Sequence, residues 1–300
     1  MSTQETSPDF YRSHSLMTDP GTASALLDDM PKDDLTALCR IIQTIYQHYY
    51  SVKDDMPLER LKEVDLRRAE LSWHRIHDLD ARPITEPRPM ENRVIGCCRD
   101  ASLLLCSMLR QQGIPARLRI GFAKYIRIAP GFYVDHVIVE VWDGGRWKMV
   151  DPEQSDKLIK ENQITFDVQD IPHDQFVIGG QAWQGIRSHQ LDASKFGDHP
   201  DDTFWCGEWA IRQRMMQDAL ALNKVEYLLW DVWGLMQMEP PSEIDLQWLD
   251  HVAALTVGDE NYEIDFAAVR ALMNDERLKP PPKFMTYSPV VPFYETERPV

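Results

Sequence analysis

The stretch Gly96-Cys97-Cys98-Arg99-Asp100-Ala101-Ser102-Leu103-Leu104-Leu105-Cys106-Ser107-Met108-Leu109-Arg110-Gln111-Gln112-Gly113-Ile114-Pro115-Ala116-Arg117 decides the reading of this chain. Ala101, Leu104, Leu105, Met108 and Leu109 recur at three and four, the period of an amphipathic helix. The pattern predicts a helix from Cys98 to Gln112. Gly113 stands where a helix needs a residue tolerant of the left-handed conformation, and Ile114-Pro115 prevents continuation. A cysteine therefore opens a well-delimited helix. The partial positive charge at a helix N-terminus favours thiolate over thiol, and free amides there can face a developing oxyanion.

The chain alternates beyond this helix. Leu118–Phe122, Val134–Trp142 and Arg146–Val150 read as strands, with Asp143-Gly144-Gly145 as a hairpin turn. His136 falls near the start of the second strand and Asp151 at the end of the third. A turn at 143–144 brings Asp151 directly opposite His136. A turn at 144–145 puts Asp151 opposite Ile138, diagonal to His136 on the same face, and only an odd-length loop separates the faces. Thiol, imidazole and carboxylate in this arrangement are the parts of a nucleophile, base and orienter. Each also has a plainer reading: Cys98 as a buried thiol, His136 as a core histidine, Asp151 as the turn residue before Pro152.

The two runs 96–101 and 109–117 resemble the cysteine motif of the transglutaminase-like superfamily. Asp135-His136-Val137 and Trp147-Lys148-Met149-Val150-Asp151-Pro152 resemble its histidine and aspartate motifs, in the same order, and the flanks are similar to bacterial members. The resemblance implies an α+β fold with a papain-like core, a cysteine helix packed on an antiparallel sheet, and catalytic residues Cys98, His136 and Asp151. The Gly-x-Cys spacing selects Cys98 over Cys97. The sequence departs from the family where Ile138 stands in place of a common aromatic. The superfamily includes acyl transferases, amide hydrolases, deglycosylating hydrolases and inactive members, so the resemblance leaves the reaction open.

Around this core the chain divides into an N-terminal helical segment (1–81), the transglutaminase-like core (82–178), a helical, Trp-rich region (179–279) and an extended tail (280–300), expected as one compact unit. Within the first segment, residues 24–79 read as helical. The prolines at 83, 87 and 89 then mark an exposed connector. Ile211–Trp233 reads as one helix, with shorter helices over 248–255 and 266–272. Trp183, Trp205, Trp209, Trp230 and Trp233 either pack a core or wall an apolar pocket over the triad. Trp205 and Trp209 are the candidates for substrate contact; Trp73 is a further one and, with His74, an upstream candidate for the oxyanion side chain. Arg117 reads as a salt-bridge partner and Asp100 as a helix N-terminal charge.

Composition bounds the function. The 32 basic and 48 acidic side chains among 300 residues give a net charge of −16, which argues against nucleic-acid and anionic-membrane partners. The N-terminus lacks a basic-then-apolar leader, and no run is long enough to span a bilayer. Five cysteines at 39, 97, 98, 106 and 206, two of them adjacent, do not form a disulfide framework or a metal-ligand spacing. These features predict a cytoplasmic protein with reduced thiols, and the triad motifs imply an enzyme that needs neither metal nor cofactor. Its expected chemistry is cysteine-dependent acyl transfer, or amide or thioester hydrolysis, on a small acyl or amide compound with an amine as a further acceptor. Two alternatives remain: a protein-directed protease or crosslinker, and a catalytically silent binding protein on the same fold. Oligomeric state is not legible.

Overall fold

A computed structural model describes residues 6–202, 204–259 and 262–299. The chain forms two compact units, Met1–Leu118 with Ile138–Ile171, and Arg119–Val137 with Pro172–Val300. The units cut across the four segments read from the sequence. Each takes part of two strands, β3 (Ala116–Ala123) and β4 (Tyr133–Trp142). The strand order of their sheet is β5 (Trp147–Val150), β4, β3, β6 (Phe176–Ile178), with β7 (Phe196–Gly197) parallel to the start of β4.

The first unit holds helices α1 (Ser7–Arg12), α2 (Leu35–Ile45), α3 (Leu58–Leu61), α4 (Ala69–Leu79), α5 (Cys98–Gln111) and α6 (Asp156–Glu161). Its short strands β1 (Tyr46–His48) and β2 (Val94–Gly96) pair in parallel, and β5 (Trp147–Val150) pairs antiparallel with β4. Every residue of α5 from Cys98 to Arg110 is buried, with α2 and α4 against it. The helix ends as its sequence requires. Gly113 adopts φ 74°, and the Ile114 amide donates back to Leu109 O at 2.9 Å. Arg117 is a core residue: its Nε donates to Glu140 at 2.6 Å, and its guanidinium lies 4.1 Å from the Trp147 ring centre.

Two expectations for this unit are corrected. Residues 24–79 do not run as continuous helix: a 3-10 turn over Gly21–Leu27 precedes α2, and the chain straightens into β1 at Tyr46. The apolar residues at 45, 46 and 49 fit a helical stripe, but pairing with β2 satisfies the backbone instead. The triple-proline segment is not a purely exposed connector. It wraps around Arg88, 2% exposed, whose guanidinium donates to the carbonyls of Asp80, Arg82, Pro83 and Glu86. Prolines leave loop carbonyls without ladder partners, and one buried five-donor side chain supplies them.

The second unit holds α7 (Gly179–Arg187), α8 (Gly207–Ala221), α9 (Glu243–Val257) and α10 (Phe266–Ala271), with strands β6 (Phe176–Ile178), β7 (Phe196–Gly197), β8 (Asp231–Val232), β9 (Lys283–Thr286) and β10 (Tyr294–Glu297). Trp183, Ile211, Met215, Leu220, Leu249 and Val252 form the centre of its core. The helices approach closely at α7, where a Cβ on Gly180 would fall 2.7 Å from Ala253 O. Asp218 of α8 accepts both Nε and Nη2 of Arg119 at 3.0 Å and the Ile120 amide at 2.8 Å, which ties α8 to β3.

The helix expected over Ile211–Trp233 stops at Ala221. Lys224 takes φ 61°, and the chain turns back before entering β8, so Trp230 and Trp233 are not helical. The tail is also more ordered than its prolines suggest. Lys283–Thr286 pairs with both β8 and Tyr294–Glu297. Phe284 and Thr286 point inward while Lys283 and Glu295 pair outside at 3.0 Å, the alternation of a half-buried strand.

Candidate active site

Cys98 is the first residue of α5 and 5% exposed. Its setting begins two residues earlier. A Cβ at position 96 would lie 2.7 Å from Asp100 Cβ and 2.8 Å from its Oδ2, closer than Cβ contacts occur, so only glycine leaves room. The space is used by the Asp100 carboxylate, which accepts the Cys97 amide at 2.8 Å and pairs with Arg99 at 2.8 Å. Asp100 thus closes the start of the helix, the structural role read for it. Burial raises its pKa, against which the neighbouring Arg99 works. Cys97 is the N-cap residue, and burial pushes its thiol up as well.

His136 is buried on β4, its ring edge-on to Tyr125 with centres 6.3 Å apart. Its neighbour Asp135 accepts Arg214 Nε of α8 at 2.8 Å, and Nη2 bonds the same oxygen. Asp151 directly follows β5 and is buried. Trp142 pairs with Trp147 and Val139 with Val150, so the turn is the one centred on Gly144-Gly145. Extending that register by one residue sets Asp151 across from Ile138. His136 lies two residues along the same strand and shares that face.

The Asp151 carboxylate also organises its own turn. Oδ1 accepts the Glu153 amide and Oδ2 accepts Gln154 Nε2, both at 3.0 Å. Gln154 was not singled out from sequence, nor was Tyr46, although both belong to this neighbourhood. Gln43 Nε2 donates to Pro152 O at 3.1 Å and Tyr46 Oη to Glu153 at 3.3 Å, which braces the turn from α2 and β1. Burial raises the Tyr46 phenol well above its usual pKa, and Glu153, Cys97, Cys98 and Asp100 add to this, so it stays a protonated donor. A lone Gln or Tyr in a helical pattern gives no signal for such a role.

The tryptophans separate. Trp73 is fully buried and its indole N–H donates to Ser107 Oγ at 3.2 Å, which makes it a core residue rather than a pocket wall. Trp205 and Trp209 are half-buried and stacked at 5.1 Å within an aromatic cluster that includes Phe204, Tyr287 and Phe293. Trp209 donates to Met236 O at 2.9 Å, and the Arg214 guanidinium lies 5.7 Å from the Trp205 ring centre.

Two other thiols are held in the protonated form by their surroundings. Burial, with the Asp151 and Asp167 carboxylates, pushes Cys39 up to about 12; burial and nearby aspartates push Cys206 up to about 11. Cys106 donates to Ala116 O within the core. Among the described residues, no group of three or more His, Cys, Asp or Glu side chains is placed to hold a metal, and no helix is long and apolar enough to cross a membrane.

Residues 46–152 match the sequence family described as the transglutaminase-like superfamily. Over these residues, about a third of the chain, the protein is similar to transglutaminase-like proteins. The matched residues contain Cys98, His136 and Asp151, and begin at Tyr46, upstream of the 82–178 core expected from the motifs alone. The mixture of helices and antiparallel sheet is the α+β class that the motifs implied. A crystal structure of a proposed cysteine protease from Cytophaga hutchinsonii is 14% identical with a TM-score of 0.36, over 58% of this chain and 46% of the other. This chain thus spans less than half the length of that protein. No curated protein matches the sequence.

Proposed function

We propose that this transglutaminase-like protein is a cysteine enzyme of acyl transfer or of amide or thioester hydrolysis, with Cys98, His136 and Asp151 as its triad. The observation that carries the proposal is the pairing of two local features. One cysteine opens a buried helix behind a glycine, and the β4–β5 register, continued one residue beyond Val139–Val150, supports Asp151 and His136 sharing a face. The family match adds support for cysteine-based catalysis.

In this mechanism Cys98 Sγ attacks the carbonyl carbon and its proton passes to His136. The tetrahedral adduct collapses, the leaving amine or thiol takes that proton, and a thioester to Cys98 remains. Water or an amine then attacks the thioester, His136 accepts the incoming proton, and the thiol is restored. Asp151, held by the Glu153 amide and Gln154, keeps the imidazole oriented. These steps call on no cofactor, and the substrate in this reading is a small acyl or amide compound.

Turnover of p-nitrophenyl butyrate tests the assignment. Cys98→Ala should abolish it, and His136→Ala and Asp151→Asn should each lower kcat by about 10²–10⁴-fold. The opposing reading, a silent transglutaminase fold, draws on the low exposure of Cys98. Equal turnover by wild type and Cys98→Ala would favour it.

A further inference from the structure

The loop joining β3 to β4 lines an open, solvent-facing pocket of about 570 Å³, within the range of small-molecule sites. The loop is held at both ends. Tyr125 and Phe132 are buried beneath it, and the Lys124 amide donates to Gln175 O at 3.0 Å. One wall is rigid: Tyr133 stacks on Phe196 with ring centres 4.3 Å apart and planes 5° from parallel.

Its chemistry is unlike the rest of the chain. From Pro115 to Tyr133 the sequence carries Arg117, Arg119, Lys124 and Arg127 and no acidic residue, in a protein of net charge −16. Arg117 and Arg119 are buried in pairs with Glu140 and Asp218. Lys124 and Arg127 are exposed and line the pocket, with the Lys124 ammonium 5.8 Å from the Tyr133 ring centre. Between them and beyond, Ile126 and Ile128 line the cavity, and Ile128 is 41% exposed. A half-buried isoleucine between the cations and an exposed one beside them, with Tyr133 in the same lining, suit a ligand with an apolar body and an anionic end.

We infer that this cavity binds an alkyl or aryl carboxylate, its hydrocarbon against Ile126, Ile128 and Tyr133 and its carboxylate between Lys124 and Arg127.

Calorimetric titration of the full chain with 4-phenylbutyrate and with 4-phenylbutyramide tests the inference. The carboxylate should bind about ten-fold tighter than the amide at low salt, and the preference should shrink as salt rises. Lys124→Gln/Arg127→Gln should remove the preference and leave amide binding unchanged; both residues are exposed, so the fold is retained. Equal binding of the two compounds, a preference that survives the double substitution, or no binding of either at millimolar concentration would overturn it. The titration repeated on Cys98→Ala should be unchanged, so failure of the thiol chemistry would not be mistaken for failure of this site.

Discussion

Replacing Arg214 with methionine should destabilise the second unit strongly. Arg214 is 4% exposed and its Nε donates to Asp135 at 2.8 Å; Nη1 donates to Leu229 O at 2.8 Å, to Gln217 at 3.0 Å and to Gln213 at 3.1 Å. Methionine fills much of the volume but leaves the Asp135 carboxylate, 8% exposed, without this cation. Breaking a buried pair in this way costs about 3–5 kcal/mol. For a cooperative unit of this size that corresponds to a Tm lower by roughly 6–20 °C. Differential scanning calorimetry reads the shift directly. Arg214→Met/Asp135→Leu removes both charges and should recover more than half of the loss, because an apolar pair of similar volume is often as stable as the ion pair. A single variant within about 1 kcal/mol of wild type, or a double variant no more stable than the single, would refute the reasoning. The clamp holds the strand residue next to His136, so Arg214→Met should also slow butyrate ester turnover in the fraction that remains folded.

Gly96→Ala should displace Asp100 from the Cys97 amide and cost about 1–3 kcal/mol, measured by urea unfolding; a neutral substitution would mean that the close approach is dispensable. Iodoacetamide at pH 8 should modify Cys98 first. Cys39 and Cys206, pushed up to about 12 and about 11, hold only about a thousandth or less of their thiol as thiolate there, so peptide mapping that finds either modified first would contradict the assignment. Trp209→Phe keeps the stacking but loses the bond to Met236 O, and should lower stability by about 1 kcal/mol in thermal melts with turnover unchanged. A loss of turnover without a loss of stability would instead make this aromatic cluster part of the substrate site.

The helix that begins at Cys98 was legible because its signals agree: an apolar stripe, a glycine at the far end and a proline beyond it. The β4–β5 hairpin was legible up to a choice of three registers, and the turn at 144–145 is the one adopted, with Asp143 Oδ1 accepting the amides of both Gly145 and Arg146. Less was legible where long-range pairing overrides local pattern. Tyr46 and Tyr49 continue a helical stripe on paper, yet residues 46–48 find ladder partners only in residues 94–96. Trp230 and Trp233 look helical by composition, but the backbone turns at Lys224 and residues 231–232 pair with a strand more than fifty positions away. Arg88 shows the limit for polar residues: an arginine among prolines reads as surface until the carbonyls around it are counted. The supporting residues of the candidate site were hidden for the same reason. Gln154, Tyr46 and Arg214 act through long-range or turn-specific polar contacts that no sequence periodicity announces.

The most direct test of the central claim is to catch the acyl-enzyme. The full chain is mixed with p-nitrophenyl butyrate, quenched in acid within the first turnover and digested for mass spectrometry. The account predicts a butyryl thioester on Cys98, formed more slowly in His136→Ala and absent in Cys98→Ala. A butyryl group on Cys97 or on no cysteine, with p-nitrophenol released at the wild-type rate from Cys98→Ala, would contradict it.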